Sequence, residues 1–273
     1  MRAPTVAGSF YPFDRKDLQD EVKKYLEGAD LKVSGGVPIA AIAPHAGYMY
    51  SGSIAAYSYK RVRSVFEKPP VFIILGPNHT GEGAQVAVSK DDWSTPLGKV
   101  NVDQSIAKAI VEYSKSAKFD EEAHRLEHSI EVQLPFLQVL YRNPAIVPIS
   151  IMANEMETFE DIGRAIFKAV EQDSRDFFVI ASSDFTHYES AEEAKVKDSL
   201  AIETIKKLDY KAFLETVESR HISICGYGPI ATMLVYAKLK GVSFIEILRY
   251  GNSGEVSGDA LKVVAYASIV LTM

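Results

Sequence analysis

The sequence predicts an α/β protein: a three-layer α/β/α sandwich around a mostly parallel, partly mixed sheet. Three observations predict it. Apolar runs of strand length, Ile39 to Ala43, Val71 to Leu75 and Phe177 to Ala181, are continuous rather than alternating, which marks strands covered on both faces. Amphipathic stretches of helical period lie between the apolar runs, the alternation that builds a helix–sheet–helix sandwich. Two late apolar runs, Val242 to Arg249 and Leu261 to Leu271, flank the polar turn segment GNSGEVSGD and predict a mixed edge.

In chain order, Arg2 to Pro12 reads as an extended arm ending in a turn. Asp14 to Gly28 is a helix with Leu18, Val22, Tyr25 and Leu26 on one face and Gly28 at its end. The first strand, from about Val37 to Ala43, passes through PHAGY into an Ala-rich helix over Ser53 to Val62. The second starts at Val71. Gln85 to Ser89 alternates as a further strand, followed by a polar connector holding Trp93. Asp103 caps a helix that runs to Lys115. Glu121 to Tyr141 is helical in pattern, and Pro135 predicts a break in it. Ala145 to Ile151 is a strand, and Thr158 with Asp161 resembles a capping box at the head of the next helix. The third histidine-bearing strand follows. Ala191 to Leu208 and Asp209 to Ser219 are helices, and ISICGYG turns into another that Pro229 starts and Gly241 ends. No repeat, low-complexity tract or linker divides the chain, so one domain over residues 1–273 is expected.

A formal charge of −6 and a pI near 5.6 exclude a basic nucleic-acid footprint. The single cysteine excludes an internal disulfide framework and fits a reducing compartment. No segment approaches the roughly 18 to 20 apolar residues that span a bilayer, and MRAPTVAGSFYP has no signal-peptide apolar core. No nucleic acid, no membrane and a cytoplasmic location are the expectations.

Three strands each end at a histidine: His45 in APHAGY, His79 in LGPNHTG and His187 in SSDFTHY. Ligands of open α/β sheets bind outside the carboxyl ends of the strands, so the three imidazoles are expected in one pocket. Cys225 precedes a predicted helix N-terminus, where N–H groups and the helix dipole favour the thiolate over the alternative of a small buried hydrophobe. Two imidazoles and a thiolate are competent for iron, copper or zinc. Asp184, three residues before His187, either orients that imidazole or caps its own turn. His124 and His128 are one helical turn apart but lack the glutamate of a metalloprotease HExxH motif, so His128 is read as a pocket residue and His124 as exposed. His221 is read as structural. GPNHTGEG lacks the Lys-Ser/Thr pair of a phosphate loop.

Taken together, VAGSFYP, PHAGYMYSG, LGPNH, EHSIEVQLPFL, SSDFTHY and ICGYGPI resemble, in order and from residue 6 to about 230, the Memo family. The resemblance implies a fold similar to the class III (LigB-like) extradiol dioxygenases, which are nonheme iron enzymes. It implies a pocket metal on His45, His79 and Cys225, with His187 as the acid/base and Asp184 and His128 as pocket residues. Extradiol dioxygenases use two histidines and a carboxylate, so Cys225 marks a departure that changes metal preference. The expected function is a nonheme metal-dependent redox enzyme acting on a small molecule or peptide, with iron foremost and copper or zinc next. The alternatives are a binding module for a peptide, possibly of phosphotyrosine type, or small molecule, and a zinc-dependent hydrolase. The resemblance also implies a functional link to AMMECR-type and radical-SAM proteins.

Overall fold

A computed structural model describes residues 1–32 and 35–273. The elements in chain order are α1 (Arg15–Gly28), β1 (Pro38–Ala43), α2 (Tyr48–Arg63), β2 (Val71–Pro77), β3 (Val86–Val88), β4 (Trp93–Thr95), β5 (Gly98–Val102) and α3 (Gln104–Tyr113). They continue with β6 (Lys118–Phe119), α4 (Glu122–Arg125), a 3-10 turn (Glu131–Gln133), α5 (Leu134–Leu140), β7 (Ala145–Ile151), α6 (Met156–Glu171), β8 (Phe177–Ser182) and β9 (His187–Glu189). The last are α7 (Ala191–Lys206), α8 (Tyr210–Ser219), α9 (Tyr227–Leu239), β10 (Phe244–Asn252), α10 (Gly254–Ser257) and β11 (Val263–Thr272).

The sheet runs β10-β11-β1-β8-β2-β7-β3-β6. Its centre, β1-β8-β2-β7, is parallel. Antiparallel β11 on β1 and antiparallel β3 on β7 make the sheet mixed toward both edges. Every residue of β1, β2 and β8 is buried, which is why they read as unbroken apolar runs. Helices α1, α2 and α5 pack together over one face, while α3, α6, α9 and α8 pack in succession over the other and α7 joins α8. The α/β/α sandwich is therefore as the sequence predicts. Neighbouring strands β1 and β8 send the chain to opposite faces, to α2 and to α7. This opens a crevice at their carboxyl ends, the place where doubly wound sheets bind ligands.

Four local expectations are corrected. Pro135 breaks nothing: it lies in the first turn of α5, where its missing N–H would have no intrahelical partner. The helical pattern from Glu121 breaks instead at residues 126–130, where Glu127 turns inward. The connector holding Trp93 is a hairpin, β4 on β5, whose buried Trp93 is gripped by the guanidinium of Arg2 at 4.4 Å. Thr158 and Asp161 form no capping box. Helix α6 starts at Met156 without a side-chain cap, and Asp161 accepts hydrogen bonds from Ser114 Oγ and from the N–H groups of Lys115 and Ser116. Pro229 is the third residue of α9, still within the turn that lacks intrahelical acceptors for its N–H groups.

Candidate metal centre

His45 lies two residues past β1 and His79 two past β2, so both hang over the crevice. His128 reaches it from the irregular stretch before the 3-10 turn. The three imidazoles meet there. Their ring centroids are 4.8 to 5.5 Å apart, and one ligand nitrogen from each lies within 4.8 Å of the others.

The surrounding hydrogen bonds fix which nitrogens are bare. Ser182 Oγ spends its proton on the carbonyl of Ser129 at 2.7 Å and accepts from Gln133 Nε2 at 2.7 Å. Facing His45 Nδ1 at 2.9 Å it is therefore an acceptor, so Nδ1 carries the proton and Nε2 is bare. Glu127 is wholly buried and ionised, with a pKa held down at about 2: burial opposes this, but the hydrogen bonds and charge of His79 and the N–H of Ser129 overcome it. It accepts from His79 Nδ1 at 3.0 Å, which makes Nε2 the ligand nitrogen of the neutral ring, and it also takes the backbone N–H groups of His79, His128 and Ser129. Its carboxylate stands 3.5 Å from His128 Nδ1. The hydroxyl behind His45 and the carboxylate behind His79 are the outer shell that orients metal-ligating histidines.

Burial, with the neighbouring imidazoles, pushes the pKa of His45 well below the ordinary histidine value. Burial also lowers His128. Both are held neutral, the ligating form. Burial would lower His79 too, but the hydrogen bond and charge of Glu127 raise it. Three imidazoles with convergent ring nitrogens, one buried and two reachable from solvent, fit a transition metal ion.

Cys225 adjoins the group, its Sγ 3.3 Å from His45 Nε2. The thiolate expected there is not favoured in the protein without metal. Burial and then the Asp184 carboxylate push the thiol's pKa up, and α9 starts two residues later with the Asp184 N–H as the thiol's nearest donor, at 3.3 Å. Gly226 is required next to it. A Cβ at that position would sit 2.6 Å from the carbonyl oxygen of Ser182, so only glycine lets the cysteine turn lie against the end of β8.

His187 is near but outside the trio, at the start of β9. Its Nδ1–H donates to the Ser223 carbonyl at 2.8 Å and its backbone N–H to Ser223 Oγ at 2.7 Å, which leaves Nε2 bare. Asp184 does neither of the two things expected of it: its Oδ1 accepts the backbone N–H of His45 at 2.8 Å, tying the β8 loop to the β1 loop. Burial raises its pKa to about 6. His124 is not exposed. It is wholly buried with Nε2 on the Ala87 carbonyl at 3.1 Å, and burial lowers its pKa to about 4. His221 is exposed on the rim of a cavity beside α8.

Glu127 and Ser182 complete the centre and go unselected in the sequence. A glutamate directly before a histidine is the signal that marks Glu127. Ser182 has no such signal.

An α/β/α sandwich that gathers three histidines in the crevice at its strand ends, His45 buried, His128 half-buried and His79 exposed, defines a class of proteins that present a metal-competent site at the sheet's carboxyl edge. Residues 2–270 match the Memo family, described as Memo-like protein, and the chain belongs to that family. It is similar to a MEMO1 family protein of Methanosarcina mazei, 42% identical over 272 residues and 99% of each chain. A MEMO1 family protein of Sulfolobus acidocaldarius is 43% identical over 281 residues and 98% of each. In structure the chain resembles an uncharacterized protein from Escherichia coli K12, with a TM-score of 0.53 at 14% identity over 84% of this chain and 98% of that one, a likeness of fold.

Proposed function

We propose that this Memo-family protein is a metal-dependent oxidoreductase, with a mononuclear transition metal, iron in the first instance, acting on a small molecule. The observation that carries the reading is the trio of His45, His79 and His128, the first two hydrogen-bonded to Ser182 and Glu127, with the Cys225 thiol 3.3 Å from His45 Nε2 as a further donor. The family resemblance implies His45, His79 and Cys225 as the ligands. The positions of the rings add His128 to that set. A metal bound there supplies a Lewis acid and, as iron or copper, a redox couple.

The chain's own groups supply the rest. Ser182 and Glu127 hold the ring planes of His45 and His79. Asp184 holds the His45 backbone. His187, with Nδ1 fixed on Ser223 and Nε2 bare, is the group that takes a proton from the substrate or returns one to it.

The test is metal analysis of protein purified without chelator. About one metal ion per chain is expected in the native protein, and a large loss in the His45→Ala, His79→Ala and His128→Ala variants. Equal content in all four would end the reading. Oxygen uptake with catechols by iron-loaded protein, set against anaerobic ester turnover by zinc-loaded protein, separates oxidoreductase from hydrolase. Glu127→Gln keeps the shape of the side chain but loses the charge behind His79. It is expected to weaken metal affinity about 10- to 100-fold in a competitive chelator titration. Unchanged affinity would make Glu127 merely structural.

A further inference from the structure

A cavity of about 840 Å³ lies beside the candidate centre, between the start of α6, the exposed side of α8 and the segment leading into α9. This volume is within the range of sites that enclose a small molecule, roughly 300 to 1,000 Å³. Its walls are Met156, Leu214, Val217, Ile224 and Tyr227. Leu214 and Val217 are three apart on one face of α8, yet both are only half-buried. The one α8 side chain fully in the core is Phe213. The apolar stripe of this helix therefore packs on the core along one side and borders the cavity along the other.

The cavity shares a wall with the site. Ser223 lines it, and Ser223 is the residue whose carbonyl and hydroxyl hold His187, two positions before Cys225. The rim carries a small negative excess. Glu215 and Glu218 stand there with no ion-pair partner among the described residues, against the single ammonium of Lys211, 5.9 Å from the Tyr210 ring, and the imidazole of His221.

We propose that this cavity is the substrate-binding pocket of the site, and that its occupant is a small amphipathic amine: an apolar body between α8 and Ile224, an ammonium group at the Glu215 and Glu218 rim. Calling the occupant a substrate rests on the metal-centre reading. The cavity itself does not, which allows the two to fail separately.

Octylamine and octanoate are the probes, titrated by calorimetry into native protein, the metal-site variant His45→Ala, and the cavity variants Leu214→Arg and, as a milder change, Leu214→Gln. Octylamine is expected to bind saturably, with the His187 ring signals shifting in the NMR spectrum, and about tenfold more tightly than octanoate. Leu214→Arg is expected to weaken it about tenfold or more and Leu214→Gln to do so by a smaller factor, in the range by which apolar pockets discriminate. Binding that survives in His45→Ala upholds the cavity whatever becomes of the metal. Several outcomes would overturn the proposal: no saturable binding, octanoate binding as tightly, binding indifferent to both Leu214 variants, or a dimer in solution that Leu214→Arg makes monomeric.

Discussion

Replacing Glu131 by alanine is expected to cost about 3–5 kcal/mol of stability, the range for breaking a buried ion pair by removing one partner. Glu131 is wholly buried and pairs with Arg2, itself buried. It also accepts from the N–H groups of Thr5 and Val6 and the hydroxyls of Thr5 and Tyr11. Arg2 spends its remaining donors on the carbonyls of His124 at 3.0 Å and Glu127 at 2.6 Å. The N-terminal arm is thus tied directly to the stretch that presents Glu127 and His128. Removing the carboxylate leaves the buried Arg2 charge without its counter-ion and takes the acceptor from the Tyr11 hydroxyl and from the N–H groups of Thr5 and Val6.

The same pair sets an acid limit. Burial opposes ionisation of Glu131, but the Arg2 charge and the Tyr11 hydrogen bond outweigh it and hold its pKa below the ordinary glutamate value. A depressed carboxylate contributes stability that is fully present above its unfolded pKa and lost as pH falls through its folded one. Native protein should therefore lose stability progressively below the ordinary glutamate range, while Glu131→Gln, less stable at neutral pH, should show a flatter acid limb. Denaturant midpoints at neutral and acid pH measure both. A variant within 1 kcal/mol of native at neutral pH would remove the ion pair from any important role.

For His187→Gln, turnover is expected to fall by roughly two to four orders of magnitude, the usual contribution of a positioned acid/base, with metal content unchanged. The separation follows from geometry: His187 is anchored on Ser223 and stands outside the trio of ligand nitrogens. Single-turnover rates and metal content, measured on the same preparation, decide it. Loss of metal along with activity would place His187 among the ligands, and full activity would remove it from the chemistry.

The central sheet is legible in the sequence because strands buried on both faces must be apolar at every position. His45 and His79 are legible because each follows such a strand within a few residues. What escapes the reading depends on tertiary placement. Strand β3 is legible from the alternation of Gln85 to Ser89, but β4 to β6, two to five residues long, are too short to stand out from the polar segments around them. The break at residues 126–130 carries no proline or glycine, because it is caused by Glu127 satisfying backbone donors from another loop. Helical spacing pairs His124 with His128, but the break sends His128 to the crevice and His124 into the interior behind Trp93, 5.7 Å between ring centroids. Arg2 and Glu131 are far apart in the chain, and a lone arginine near a terminus reads as solvated.

The strand order has a consequence for synthesis of the chain. Both neighbours of β1, β8 and β11, come from beyond residue 176, and β2 is bounded by β7 and β8. As the polypeptide leaves the ribosome, two buried-strand segments emerge with neither edge satisfied: β2 waits for β7, which begins at Ala145, and β1 waits for β8, which begins at Phe177. Contacts of such long sequence separation close late and slowly, and an unpaired apolar strand is an aggregation hazard while it waits. The nascent N-terminal half is therefore the part of this protein most in need of a chaperone. A truncation ending before β8 should be found in inclusion bodies rather than as a folded fragment.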